Sequence, residues 1–413
     1  MRIRWRRRGR LRKAATALVA LALLPVAILL GSASIHAAAS SPAAGIHTDA
    51  LGTQDTGPPT AEALQRSEAS GLFGPFSWDG QLVSGPFVSF DFSVGTGAIV
   101  GYFAVNGTNA SLLIDTIRIA GFVPTSTPQI AGATFTASAS NVSLVVHDEP
   151  TALLEIHTTG QPRSVELSFP SGATDLAVSH ATEWPHSGLA FGVGASHGRL
   201  MVGRGNLTVN GTTVTADLQA DDYLALRAVP AFAEHAAERT AVLDAFASGR
   251  LAAEYEFVAM SGGGWLENTA QYQGGLAATS THVEYGQAKI DLGVAEPRGG
   301  VVILAFDPET MPADAQHRLV VTQNGSEVQQ ATSPVESLYT LPGTSAHPSF
   351  SLLAMNATVL VIYLPELSAS PLQIESLALP ASPGLDEPTE LAMVAAVFVV
   401  SLAAAVMLRR PQE

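Results

Sequence analysis

The 413-residue sequence has no cysteine, so no disulfide bond can support its fold. A eukaryotic extracellular protein of this size usually carries disulfides, so their absence favours a prokaryotic source for a secreted chain. Charged residues are also few, at 14%, which excludes a disordered polyelectrolyte. With 47% apolar residues, the chain is long enough to form roughly two domains with real cores.

Basic side chains are scarce outside the two ends of the chain. Eight of the 21 lysines and arginines lie within residues 1–13 and two lie within residues 409–413, so eleven remain between those ends, together with 35 of the 36 acidic residues. The intervening chain therefore carries a formal charge of about −24, and Lys289 is its only lysine. Such an acidic surface keeps a protein soluble and argues against nucleic acid as a partner.

The N-terminus has the pattern of a secretory signal. The basic residues precede an apolar run from Ala14 to Leu30, and small residues at Ala37 and Ala39 form an A-x-A-like cleavage site. This order of regions predicts a signal peptide over residues 1–39. Because the apolar run is long for a signal, an uncleaved N-terminal anchor is the alternative.

The C-terminus has the pattern of a membrane anchor. Residues 391–408 contain neither charge nor proline and are long enough to span a bilayer, and Arg409 and Arg410 follow them. We therefore predict a transmembrane helix over 391–408, preceded by an acidic stalk over 379–390. Since basic residues remain cytoplasmic, residues 409–413 are predicted to form a cytoplasmic tail. The chain between the two apolar runs is then expected outside the cell, held to the cell membrane by a single span after signal cleavage. A buried core helix is the alternative for the apolar run.

Seven of the eight asparagines open an N-x-S/T triplet, the acceptor motif for N-glycosylation. They are Asn106, Asn109, Asn141, Asn206, Asn210, Asn324 and Asn356, and none has proline in the middle position. Chance would give about one or two such triplets at this serine and threonine content. Asn-Gly hairpin turns explain part of the pattern, but not Asn141 or Asn356, which lie within apolar runs. We therefore predict glycans at these seven positions.

The layout of the whole chain resembles the general class of archaeal membrane-anchored cell-surface glycoproteins. A secretory leader, a sequon-rich β body, an acidic stalk and a C-terminal anchor follow one another in an acidic chain without cysteine. The resemblance is one of architecture and involves no specific family motif. It implies covalently attached glycans, the membrane as a partner, and other surface proteins as further partners.

Between residues 71 and 378, short apolar runs alternate with turn residues. Runs such as PFVSFDFSV, AIVGYFAV and NVSLVVH are seven to nine residues long, and Gly, Pro, Asn or Ser separates them from the next run. Many short strands at this spacing predict a mainly β protein of antiparallel β-sandwich or Ig-like modules. A β-solenoid is the alternative.

The composition also predicts how the body is divided. Residues 40–70 are small, polar and rich in Pro and Gly, which is typical of a flexible linker. The Ala-rich segment 230–249 begins with Pro230, has an apolar face and ends at Gly249, so it predicts one inserted amphipathic helix. The expected β regions are a β-rich ectodomain over 71–229, a β connector over 250–296 and an Ig-like module over 297–378.

One short motif is similar to a catalytic motif of hydrolases. Residues 194–198 read Gly-Ala-Ser-His-Gly, which matches the G-x-S-x-G pattern of a nucleophile elbow. That elbow requires a helix after the serine, whereas the residues after Ser196 are strand-like. A Gly-rich turn is therefore the favoured interpretation, and we expect no catalytic residue here.

Histidines and carboxylates offer only weak candidates for a metal site. His180, Glu183 and His186 have useful separations, but Pro185 prevents the regular helix on which zinc ligands are commonly spaced. Carboxylates near predicted strand ends could hold Ca²⁺, and these are Asp221, Asp222, Asp307 and Glu309. No D-x-D-x-D-G loop accompanies them, so solvated acids are favoured. We expect no metal and no cofactor, with Ca²⁺ as the one ion considered.

The sequence contains no coherent catalytic set. We therefore expect a non-catalytic structural, adhesive or ligand-binding role at the cell surface. Two alternatives are a surface-exposed hydrolase or metal-binding enzyme, and an accessory subunit of a membrane complex.

Overall fold

The computed structural model describes the body of the chain between residues 61 and 379. The described ranges are 61–180, 187–272, 276–294, 299–333, 336–339, 347–367 and 370–379. They belong to one compact unit that begins at Ile46. The predicted signal, stalk, transmembrane segment and tail lie outside these ranges. Among the helices of the described residues, none combines the length and apolar character needed to cross a membrane.

The described residues between 77 and 229 form an N-terminal sheet pair. Its strands are β1 (Ser77–Trp78), β2 (Leu82–Ser84), β3 (Val88–Ser93), β4 (Ala98–Asn106), β5 (Asn109–Ile119), β6 (Gln129–Ala131), β7 (Thr134–Ala139), β8 (Val142–His147), β9 (Leu154–Thr158), β10 (Arg163–Ser168), β11 (Ala173–His180), β12 (Ser187–Val193), β13 (Ser196–Val202), β14 (Asn206–Asn210), β15 (Thr213–Leu218) and β16 (Tyr223–Val229). Sheet A has the order β1-β2-β3-β4-β5-β10-β15-β14, and sheet B has the order β11-β12-β13-β16-β9-β8-β7-β6.

Alternation of apolar side chains along the strands builds a core between sheets A and B. In β3, Val88, Phe90 and Phe92 are buried while the residues between them are half-buried. Phe90 packs against Phe135 of sheet B with ring centroids 5.3 Å apart. Burying one such side chain stabilises the fold by roughly 1.5–3 kcal/mol, so this shared core fixes the register of both sheets.

The described residues between 251 and 378 form a C-terminal sheet pair. Its strands are β17 (Leu251–Ala259), β18 (Trp265–Gln271), β19 (Leu276–Glu284), β20 (Gln287–Val294), β21 (Gly300–Phe306), β22 (His317–Gln323), β23 (Ser326–Glu327), β24 (Gln329–Gln330), β25 (Ser349–Ala354), β26 (Thr358–Leu364) and β27 (Ser370–Ala378). Sheet C has the order β18-β17-β21-β26-β25-β24, and sheet D has the order β19-β20-β27-β22-β23. Most neighbours are antiparallel, but β17–β21 and β24–β25 are parallel.

The sheet order corrects the expected division of this region. Strands from residues 250–296 lie beside strands from residues 297–378 in both sheets, so the connector and the Ig-like module are not separate. Tyr255 and Phe257 of sheet C share one core with Ile290 of sheet D. The physical reason is long-range pairing, which a local reading of strand signals does not detect. The mainly β class with largely antiparallel sheets is confirmed.

Three helices accompany the sheets in the described residues: α1 (Ala61–Ala69), α2 (Ala236–Ala247) and α3 (Glu336–Tyr339). The helix predicted within 230–249 is α2, which begins after His235, a residue with a positive φ of 53°. Phe246 of α2 belongs to a core that also contains Tyr223 of sheet B and Ile303 of sheet C. Helix α2 therefore joins the two sheet pairs.

Helix α1 corrects part of the predicted flexible linker 40–70. Its sequence AEALQRSEA contains mostly good helix formers, and Ala63 and Ser67 are buried. Ala63 joins the core around α2, so packing adds to local propensity. The remainder of that predicted linker, residues 40–60, lies outside the described residues.

Candidate functional site

A pocket lies between the two sheet pairs beside helix α2. Its cavity volume is about 70 Å³. The side of sheet C that faces α2 contributes Glu254, Glu256, Ile303, Ala305 and Val359. The remaining wall consists of residues 70–72, the turn 149–151, Arg227, residues 234–235, Arg239, Val242 and residues 355–357. The pocket thus combines an apolar patch with several charged groups.

The alternation of β17 places two carboxylates in this pocket. Tyr255 and Phe257 point into the core between sheets C and D, so Glu254 and Glu256 point to the opposite face. If the C-terminal sheet pair stood alone, that face of sheet C would be exposed to solvent. In this protein, sheet B and α2 cover it. Glu254 is consequently only 7% exposed.

Arg227 of β16 is the main cationic partner of these carboxylates. Its guanidinium, 3% exposed, donates hydrogen bonds to Glu254, to Thr151 Oγ1 at 2.7 Å, and to Glu149 Oε1 at 3.5 Å. It also donates to the Tyr272 hydroxyl at 3.1 Å. Burial opposes the charge on Arg227, but the attraction of Glu254, Tyr272 and Glu149 outweighs it and raises the pKa of the guanidinium. Arg227 therefore stays charged and ties sheet B to sheet C.

The carboxylates are not fully neutralised by Arg227. Burial raises the pKa of Glu254 to about 7, with Glu149 adding to the effect and Arg227 opposing it. Burial and the neighbouring Glu149 also raise the pKa of Glu256 well above its usual range, although the Asn268 amide donates to Glu256 Oε2 at 2.8 Å. The pocket can therefore exchange protons near neutral pH.

A chain of buried polar groups continues from the pocket toward the surface. The Asn268 amide nitrogen donates to Glu256, so its oxygen accepts from His147 Nδ1 at 2.8 Å, which assigns the proton to that ring nitrogen. His147 Nε2 lies 3.9 Å from Glu155 Oε2, which in turn lies 3.2 Å from His157 Nε2. The His157 side chain is 20% exposed. Since 3.9 Å is too long for a hydrogen bond and His147 Nε2 has no hydrogen-bond partner among the described residues, the hydrogen-bonded chain from the pocket ends at His147.

The Gly-Ala-Ser-His-Gly motif forms a hairpin turn. Ser196 begins strand β13, and its Oγ lies 2.8 Å from Ser111 Oγ and accepts from the Ala231 backbone N–H at 3.0 Å. His197 is the next residue along the strand and bonds to Thr240 instead. A strand follows the serine, so the helix that a nucleophile elbow requires is not there.

The weak metal candidates do not converge in the described residues. His180 is exposed and lies 3.1 Å from Ser187 Oγ, whereas Glu183 and His186 lie outside the described residues. Across the part of the chain that the structure describes, no group of three His, Cys, Asp or Glu residues is placed to hold a metal ion.

Two of the acids expected to be solvated are buried turn caps, which corrects that expectation. Asp222 accepts from the backbone N–H groups of Arg204, Gln219 and Tyr223, and it is 4% exposed. Asp307 is fully buried and accepts from the hydroxyl of Thr310 and from the backbone N–H groups of Glu309 and Thr310. The other two acids make different contacts. Asp221 accepts a hydrogen bond from the Gly160 backbone N–H, and Glu309 Oε2 forms an ion pair with Arg66 at 3.0 Å. These acids serve turns and ion pairs, which accounts for their position at strand ends.

The sequon asparagines fall into two structural groups. Six are exposed on turns or on an edge strand, and these are Asn106, Asn109, Asn206, Asn210, Asn324 and Asn356. Asn141 is half-buried, and its amide donates to Gln161 at 2.8 Å. Asn356 is exposed at the rim of the pocket, and its amide donates to Glu234 at 2.7 Å. The hydroxyl of Thr358 in the same triplet is buried and donates to a backbone carbonyl at 2.7 Å.

The charged residues of the pocket were missed by sequence reasoning. One signal for them was available in β17, where Glu254 and Glu256 share a strand face with the buried Val258. Acidic residues in line with apolar ones indicate a face that some other element covers. No comparable local signal marks Arg227, because its partners come from distant strands.

Comparison with protein families and with curated proteins identified no relative of this chain. No protein-family model matches the sequence, and no curated protein is significantly similar to it. Function is therefore inferred from the residues and their placement.

Proposed function

We propose that the protein is a membrane-anchored, N-glycosylated extracellular protein with a non-catalytic structural, adhesive or ligand-binding role. The observation that carries this proposal is the exposure of six sequon asparagines on turns and on one edge strand. Asn106 and Asn109 bracket the β4–β5 turn, and Asn324 opens the β22–β23 turn. Exposed turns are the places where a bulky glycan costs the fold least.

The signal over residues 1–39 and the anchor over 391–408 belong to this proposal, as does a cytoplasmic tail. Their support is the charge and hydropathy pattern of the sequence. An Ig-like character of the sheet pairs is also part of the proposal, supported by two sheets packed around each common core. The pocket beside α2 is the proposed ligand-binding site of the body.

Two measurements on cells test this proposal. Glycopeptide mass spectrometry should find sugar on Asn206 and Asn210, and protease added to intact cells should degrade the β body. Detection of all seven sequon asparagines in unmodified form would refute the glycosylation. A body that resists protease on intact cells but is cleaved after lysis would refute the extracellular location.

The pocket favours a surface hydrolase as a second candidate. Glu149, Glu254 and Glu256 surround a cavity, and a carboxyl group with a pKa near 7 is suited to general acid–base catalysis. Purified protein should then hydrolyse a member of a panel of chromogenic glycosides and esters, and Glu254→Gln should abolish the turnover. Glu284→Gln, at an exposed position, is the matched control. No turnover across the panel, or equal turnover by both variants, would leave the non-catalytic role as the favoured one.

A further inference from the structure

Strand β14 is an unusual end for a β-sheet in this protein. The four sheets of the described residues have eight terminal strands, and a terminal strand exposes unpaired backbone N–H and C=O groups that can pair with another chain. Proteins usually blunt such an edge with charge, proline, a bulge, a very short strand or a covering element. The terminal strands can be compared on each of these features.

Seven of the eight terminal strands have at least one of these protections. Strands β1, β6, β23 and β24 are two or three residues long. Strands β11 and β19 contain register shifts typical of a bulge. Strand β18 is mostly buried and contains Glu267. These edges are therefore poor templates for a second chain.

Strand β14 has no charge, no proline and no bulge, and it lies close to β11 and β12 of sheet B. Its five residues, Asn-Leu-Thr-Val-Asn, include no charge and no proline. It pairs with β15 in one unbroken register from Asn206 to Asn210, so it has no bulge. Four of its five residues are exposed, including Val209 at 37%. By its own amino acids, β14 is therefore a regular and uncharged edge.

The same strand contains two of the exposed sequons. Asn206, Thr208 and Asn210 are two residues apart, so their side chains lie on one face of the strand. The two asparagines are separated by roughly 14 Å along the strand, which places a sugar at each end of it. Two glycans at this spacing span the whole length of the edge.

We infer that glycans on Asn206 and Asn210 protect the β14 edge from pairing with β14 of a second copy of the chain. This inference rests on the proposed glycosylation of the protein. Without the sugars, two copies bring their edges together around a two-fold axis and extend sheet A into a continuous antiparallel sheet across both molecules. The sugars thus perform the function that charge or bulges perform at the other edges.

Three variants made in a glycosylating host test the inference. Asn206→Gln with Asn210→Gln removes both sugars from the edge and should give about a doubling of solution mass by light scattering as concentration rises. Asn106→Gln with Asn109→Gln removes two sugars from a hairpin turn of the same sheet and should leave the mass unchanged. Thr208→Lys with Asn210→Gln also removes both edge sequons but adds a charge to the edge, and it should remain monomeric.

The outcomes distinguish failure of this inference from failure of the proposed glycosylation. If mass spectrometry finds Asn206 and Asn210 bare in the parent protein, glycosylation of this strand fails, and the inference fails with it. If the parent is glycosylated there but the edge variant stays monomeric, only the protective role is overturned. Equal association of the edge and hairpin variants would also overturn it, since general loss of solubility would then explain the result.

Discussion

Replacement of Arg227 by methionine tests the charge network between the two sheet pairs. Methionine fills a similar length of the buried site but removes the guanidinium that binds Glu254, Glu149 and Thr151. Removing one partner of a buried ion pair costs about 3–5 kcal/mol, because the remaining charge stays buried without compensation. We therefore expect Arg227→Met to lower the free energy of unfolding by about 4 kcal/mol at pH 8.

The expected cost depends on pH in a defined direction. Glu254 has a pKa of about 7 in the folded protein and an ordinary value of 4.5, so folding favours its protonated form. Below its unfolded pKa such a carboxyl group is protonated in both states, so it does not change the free energy of unfolding. As pH rises toward the folded pKa, the group ionises more readily in the unfolded state, so the free energy of unfolding decreases. Loss of Arg227 raises the folded pKa further. The variant should therefore lose much less stability at pH 5 than at pH 8.

Urea unfolding at the two pH values measures this effect. Arg118→Met is the matched control, since Arg118 lies 3.7 Å from Glu166 in an exposed pair. An exposed pair contributes about 0–1 kcal/mol, so the control should change stability little at either pH. A cost below about 1 kcal/mol for Arg227→Met, or a cost equal at pH 5 and pH 8, would refute the proposed role of the network.

Further expectations concern a buried carboxylate, a close contact and one sequon. Glu256→Gln should stabilise the protein, more at pH 7 than at pH 5, because burial disfavours the ionised form of Glu256; urea unfolding that shows the opposite trend contradicts this. Gly85→Ala should lower the melting temperature, with a cost of about 1–3 kcal/mol, since its Cβ would lie 2.1 Å from the Asp148 carboxylate. Gly95→Ala meets no atom within 4 Å and serves as the control. Asn356 should show lower glycan occupancy than Asn106 and Asn109 in glycopeptide mass spectrometry, because its amide already donates a hydrogen bond to Glu234; equal occupancy would contradict that explanation.

Local sequence patterns were sufficient to predict the mainly β class and helix α2. Alternation along β3 indicates a strand with one buried face, and the structure buries Val88, Phe90 and Phe92 as that pattern requires. The Ala-rich segment 230–249 likewise contains the predicted helix. These signals are local, because a strand or a helix can be recognised from the spacing of its own apolar residues.

The assembly of the elements depends on information that is not local. Strand β17 pairs in parallel with β21, although three strands lie between them in the sequence, and this pairing joins the expected connector to the expected module. Nothing in the sequence of β17 specifies that partner. The helix α1 was missed for a similar reason, because a short polar helix is stabilised by the surface on which Ala63 packs.

The pocket residues follow from this same assembly. Glu254 and Glu256 alternate with Tyr255 and Phe257, so the strand pattern places the glutamates on the face opposite the core between sheets C and D, and only the apolar Val258 on the same face indicates that it is covered. Sheet B and α2 turn that face into an interior, and Arg227 is the compensation for the charge placed there. The burial of Arg227 is therefore explained only by the position of its acidic partners on the other side of the interface. The charge network therefore depends on the correct packing of the two sheet pairs, since Arg227 lies on sheet B and Glu254 on sheet C.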